Sequence, residues 1–222
     1  AARRADEGDE LALRDRQLSD VSEERLHGAH SIRHPAGGGG HNRPVPLPSS
    51  DEFARLTRGG RSAHVYEDVL ADVETPVGAY WKLAHDEPLS FLLESVTGGE
   101  QVGRYSYIGV RPREVIRVKD GALLPSGERL AEGEDPLHVL QTRLAGEPPV
   151  ETPGMPAFPS GAVAMLSYDI VRYFERLPGG PNDDLGVEDL AAMIVDTLVV
   201  FDHARNVVRI VARAEADGYA DA

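Results

Sequence analysis

The chain has no cysteine, which excludes disulfides, thiolate metal sites and cysteine nucleophiles. It has no run of eighteen apolar residues, so no membrane-spanning helix is expected. Its first residues, AARRADEGDE, lack the apolar core of a secretion signal, and the expected location is the cytoplasm. No methionine precedes Met155, so the natural start is expected to lie elsewhere or to have been removed. Lysine is scarce, at Lys82 and Lys119 only; the bias to arginine fits a GC-rich coding sequence or a salt-adapted proteome and carries no function. A phosphate-cradling loop is missing too, because Gly37 to Gly40 is not followed by Lys and Ser or Thr. Nor is there a basic excess: 23 Lys and Arg stand against 37 Asp and Glu, a net charge of −14 that repels phosphate backbones and argues against nucleic-acid binding.

What is present is a chain of 222 residues, 41% hydrophobic, enough to bury a core. Residues 1–50 differ from the rest. They carry a charge of only −1, four of the eight histidines, the glycine run, and Pro44, Pro46 and Pro48 at alternate positions. They read as a disordered or unrelated extension ending in an extended linker. Residues 51–222 carry the remaining −13 and read as the folded part.

Within that part, a short helix is expected over Asp51 to Thr57 and a strand over Ala63 to Val69. Thr75-Pro76 and Asp135-Pro136 are cap-and-proline signals that open helices through Leu83 and Leu144. Strands are expected over Ser90 to Val96, Arg104 to Val110 and Glu114 to Lys119, with a turn at Asp120-Gly121. Gly161 to Phe174 reads as one buried strand, Met193 to Asp202 as another, and Asn206 to Ala214 as its hairpin partner. In the last of these, Val208, Ile210 and Ala212 alternate with Arg209, Val211 and Arg213, which predicts a solvent-facing side. A new segment is expected to begin after Asp217. The fold class is α+β, antiparallel sheets with flanking helices.

The densest stretch is SFLLESVTGGEQVGRYSYIG, Ser90 to Gly109. On a strand, Phe91, Leu93 and Ser95 share one face. Spacing alone favours a core serine bonded to a neighbouring backbone group. The alternative is a polar spot in which Ser95 meets Arg104 and Tyr105 at the end of an apolar pocket, suited to an amino acid. Elsewhere, His27, His30 and His34 have metal-ligand spacing but read as a solvated tail. Asp169, Arg172 and Glu175 read as a structural ion-pair cluster beside Tyr168, with Arg172 and Glu175 paired at i, i+3 and no pocket nearby. Asp183-Asp184 and Glu188-Asp189 read as solvated surface.

The run TPVGAYWKL (Thr75 to Leu83), followed by FLLES (Phe91 to Ser95), GRYSYIG (Gly103 to Gly109), YDIVRYFERLP (Tyr168 to Pro178) and VVFDH (Val199 to His203), resembles the amino-terminal domain of anthranilate synthase component I. The resemblance covers about Asp51 to Ala222, and five weak motifs in order make a strong one. It implies a chorismate-using subunit that works with a glutamine amidotransferase, anthranilate synthase component II, and contains magnesium. It also implies that this domain is regulatory and binds feedback tryptophan. Carried onto this chain, the tryptophan-binding residues are Glu94, Ser95, Arg104, Tyr105 and Ser106. No catalytic residue and no magnesium ligand is implied here, since the family keeps both in a later domain, so the chain is expected to be an inactive fragment. SGAVAMLSYD departs from the family's GGxVGYxxYD pattern at Ala164, Met165 and Ser167, which concerns packing rather than the ligand site. Aminodeoxychorismate synthase component I, of the folate pathway, and a stand-alone amino-acid sensor without catalysis are the alternatives.

Overall fold

The computed structural model describes residues 46–70, 73–94, 103–179 and 183–222. The chain divides into two units, Ala1–Asn42 and Arg43–Ala222, and everything described lies in the second. His27, His30 and His34 lie outside the described residues.

Three helices and nine strands are described: α1 (Ser50–Leu56), β1 (Ala63–Leu70), α2 (Pro76–Ala84), β2 (Ser90–Leu93), β3 (Tyr105–Val110), β4 (Glu114–Lys119), β5 (Ala122–Leu124), α3 (Pro136–Leu144), β6 (Gly161–Leu166), a 3-10 turn at Tyr168–Tyr173, then β7 (Leu190–Val195), β8 (Thr197–Asp202) and β9 (Val207–Ala214). The two proline-led helices start where the sequence places them. The Thr75 side chain accepts from the Gly78 amide, and the Asp135 carboxylate accepts from those of Leu137 and His138. The Asp120-Gly121 turn has positive φ at both residues, 50° and 72°, and folds β4 back into the short β5.

All strand pairings are antiparallel, in a five-stranded sheet ordered β1-β9-β8-β3-β2 and a four-stranded sheet ordered β5-β4-β7-β6. The α+β class is therefore as read. Period-two alternation distributes the core. Phe91, Leu198, Val200 and Val211 of the larger sheet face inward and meet Val163, Met193 and Val195 of the smaller one. On the outer face of the larger sheet, α2 covers Ile108 and Phe201, and Phe53 of α1 covers Ala63, Val65 and Ala214. Val139 of α3 packs on Ile116, Val118, Leu190 and Ile194 of the smaller sheet.

Several readings are corrected. Met193 to Asp202 is two strands, not one: the chain leaves the smaller sheet at Val195, turns at Asp196 and enters the larger sheet at Thr197. Asp196 holds the corner, its carboxylate on Arg113 at 2.8 Å and its carbonyl accepting from the Arg213 amide. Gly161 to Phe174 is an edge strand that gives way to a 3-10 turn, and Met165 and Leu166 are exposed rather than buried. The arginine side of β9 does not face solvent, since Arg209 and Val211 are buried on the inner face. After Asp217 there is a turn, not a new element; the Tyr219 ring lies 5.2 Å from that of Phe53 and its hydroxyl donates to the Pro48 carbonyl. Leu47, in the stretch read as an extended linker, exchanges backbone hydrogen bonds with Tyr66.

The proline-rich segment before β6 straps the inner face. Its Val150 amide bonds the Ser62 carbonyl, the Thr152 hydroxyl bonds both backbone groups of His64, and the Ser160 hydroxyl meets His64 Nε2 at 2.9 Å. Burial, and then the charge of Arg213, lower the His64 pKa from its ordinary 6.5. Below about pH 6.5 the unfolded chain takes up a proton that the native imidazole resists, so His64 contributes stability above that pH and loses it as the pH falls. Denaturant titrations between pH 7.5 and 5 should show a steeper loss for the parent chain than for His64→Gln. Gly109 sits opposite Phe91, and a Cβ there would land on the Phe91 ring. Gly109→Ala should therefore cost about 1–3 kcal/mol by chemical denaturation.

Candidate functional site

One end of the inner face of the larger sheet is polar. Because β1, β9, β8 and β3 are neighbours, the alternation that points Val200 and Val211 inward also places Asp68, Arg209, Asp202 and Tyr105 on that face. Arg209 makes a two-point contact with Asp68, at 2.6 and 2.7 Å, donates to the Gly154 carbonyl, and lies 4.1 Å from the centre of the Tyr66 ring. Arg104, just before β3, makes a second two-point contact with Asp202, Nε to Oδ1 at 3.0 Å and Nη2 to Oδ2 at 2.7 Å. The Arg104 guanidinium rests 4.8 Å from the Tyr105 ring centre. Four charges thus alternate in sign across four strands.

The electrostatics follow from those contacts. The Arg104 hydrogen bonds hold the Asp202 carboxyl below the usual carboxylate range, and Asp202 in turn raises Arg104. Asp68 raises Arg209. Tyr107, next on the same face, is pushed up by burial; its ring meets the Phe158 edge at 5.8 Å, so the proline-rich strap roofs the apolar end of the site.

Of the five residues expected to bind a ligand, the structure brings Arg104 and Tyr105 together. Ser106 lies on the opposite face, fully buried, with its hydroxyl 2.7 Å from His203 Nε2. Glu94 is exposed just after β2, and Ser95 lies outside the described residues. The sequence reading gave no role to Asp202 or Arg209. The signal for Asp202 was in VVFDH, where it continues the inward alternation of Leu198 and Val200.

A second polar concavity, a cleft of about 400 Å³, lies at one end of the smaller sheet, lined by Lys119, Arg129, Asp169, Arg172, Tyr173 and Asp189. A cleft therefore does lie beside the cluster read as having none. Within the cluster Arg172 pairs with Asp169 at 2.7 Å and not with Glu175. Asp189 is buried rather than solvated and accepts from the Tyr173 hydroxyl and the Asp120 amide, both at 2.8 Å. Asp183 and Glu188 are tied to Lys119 and Arg117. Burial, reinforced by Asp189, raises the Tyr173 pKa to about 12, so it stays a phenol whose oxygen takes the Gly121 amide and pins the Asp120-Gly121 turn.

An anthranilate synthase component 1 from Thermus thermophilus is 48% identical over 144 residues, 64% of this chain and 30% of that protein. One from Pseudomonas putida is 42% identical over 160 residues, 69% of this chain and 32% of that protein. One from Mycolicibacterium smegmatis is 36% identical over 169 residues, 75% of this chain and 32% of that protein. The chain is a relative of anthranilate synthase component 1. It spans about a third of the length of the component 1 proteins it matches. A crystal structure of anthranilate synthase component I from Streptococcus pneumoniae TIGR4 superposes with a TM-score of 0.43 at 24% identity, over 65% of this chain and 31% of that one. No family model matches.

Among the described residues of this component 1 relative, no three His, Asp or Glu side chains converge into a metal-binding group. No described helix is long and apolar enough to cross a membrane. Replacing Arg209 would leave the Gly154 carbonyl and the Asp68 carboxylate without their donor. Arg209→Met should destabilise the chain by about 2 kcal/mol, measured by urea unfolding, because the buried guanidinium's charge-assisted hydrogen bonds to Asp68 and to the Gly154 carbonyl are lost while both acceptors, on exposed residues, regain water.

Proposed function

We propose that this chain is the amino-terminal, regulatory segment of an anthranilate synthase component I, a lyase subunit that turns chorismate and ammonia into anthranilate and pyruvate for tryptophan synthesis in the cytoplasm. On this reading the ammonia comes from glutamine through the component II amidotransferase, and the catalytic groups and the magnesium ion belong to the rest of the enzyme. The segment alone catalyses nothing.

The observation that carries the reading is the 48% identity to an anthranilate synthase component 1 over 144 residues. The polar end of the inner sheet face supports the regulatory role. A feedback amino acid needs a cation for its carboxylate and an apolar wall for its side chain. Arg104 supplies the first and Tyr105 and the neighbouring Tyr107 and Phe158 the second; Glu94 and Ser95 belong to the site as the family resemblance implies. Ser106, gripped by His203, backs β3 from the other face.

A hydroxyl hydrogen bond to a charged group contributes roughly 1.5–3 kcal/mol. In the complete enzyme, Ser95→Ala should raise the tryptophan concentration for half-inhibition at least about tenfold, judged against the variant's own uninhibited rate. Unchanged inhibition together with collapsed turnover would defeat the site assignment. Chromatography of the products should find anthranilate and pyruvate; 4-amino-4-deoxychorismate instead would move the chain to the folate pathway.

A further inference from the structure

Asp202 holds Arg104 in a two-point contact and has only a looser ion pair, at 3.9 Å, with Arg205 Nε. Its side chain is only 10% exposed. Its Oδ1 accepts from the backbone amides of Ala204 and Arg205, at 3.2 and 3.3 Å, in the turn that follows β8. The carboxylate is therefore fixed by its own turn before it meets Arg104. A guanidinium has two edges on which a planar carboxylate can make paired hydrogen bonds: a side edge made by Nε and one Nη, and an end edge made by the two Nη atoms. Asp202 occupies the side edge of Arg104, at 3.0 and 2.7 Å. The end edge has no partner among the described residues, and the Arg104 side chain is one-third exposed. Tyr105 beneath the guanidinium restricts its remaining freedom.

We propose that Asp202 is a positioning residue: by taking the side edge of Arg104 it presents the end edge, already oriented, to the α-carboxylate of the amino acid that the site binds. This rests on the tryptophan reading above. It adds a requirement for a fork rather than for a positive charge, since an ammonium has no second edge to present. It also predicts that Asp202 acts only through Arg104.

The test is a double-mutant cycle in the complete enzyme with its amidotransferase subunit, reading the tryptophan concentration for half-inhibition against each variant's uninhibited rate. Asp202→Asn turns an amide donor toward the guanidinium and frees one arm, so half-inhibition should rise about tenfold. Arg104→Ala should raise it at least as far, and the double variant should be no worse than Arg104→Ala alone. Additive losses would make Asp202 a structural residue acting on the whole sheet and would overturn the proposal. So would an Asp202→Asn enzyme inhibited like the parent. Arg104→Lys, a change at a partly exposed side chain, covers the case in which Asp202→Asn does not fold: it should be inhibited as poorly as Arg104→Ala, and parent-like inhibition would refute the fork. If Ser95→Ala leaves inhibition intact, the tryptophan site itself is misplaced; if Ser95→Ala weakens it and the Asp202 cycle is flat, only the positioning role fails.

Discussion

The larger sheet depends on two arginine–carboxylate clasps, each with one buried member. Its inner face is apolar for most of its extent, yet Arg209 and Asp202, both nearly buried, lie on neighbouring strands at one end. Neither charge would survive there alone, because an unpaired ion away from water costs several kcal/mol. Each is matched by a partner on the next strand out, Asp68 on β1 and Arg104 before β3, so β1 is tied to β9, and β8 to the start of β3, by side chains as well as by backbone. The strap of residues 150–160 depends on this arrangement too, since Arg209 reaches through it to the Gly154 carbonyl.

The same clasps separate what is fixed from what is free. Arg209 spends its donors on Asp68 and Gly154 and is covered; Arg104 spends only its side edge and stays partly in solvent. One arginine is structural and the other is available, though both answer to an aspartate in the same way. On the proposed reading, that asymmetry assigns ligand binding to the Arg104 end and leaves the Arg209 end as scaffold.

Much of the fold is legible in the sequence where one residue dictates one local geometry. Thr75-Pro76 and Asp135-Pro136 start their helices, Asp120-Gly121 makes its turn, and alternation marks β3, β4 and β9. The misses arise where partners come from far away. Arg209 looks like a solvent residue until Asp68, 141 positions earlier, is beside it. The apolar run GAVAML looks like a buried strand, but apolar content does not say whether a strand is central or at an edge, and β6 is an edge. In the site, Arg104 and Tyr105 come from a recognisable motif; Asp202 lies in one too, and alternation turns it inward, but its importance comes from a cross-strand neighbour.

The corner at Asp196 has a mechanical consequence. β7 and β8 are a single run of chain with one residue between them, and each belongs to a different sheet. The run is anchored at one end by Asp189, beside the Tyr173 cleft, and at the other by Asp202, beside Arg104. Neither sheet can slide by a register step without dragging the other's anchoring carboxylate off its donors. The two polar ends of the molecule, which share no side chain, are thereby geared to each other through a taut length of backbone.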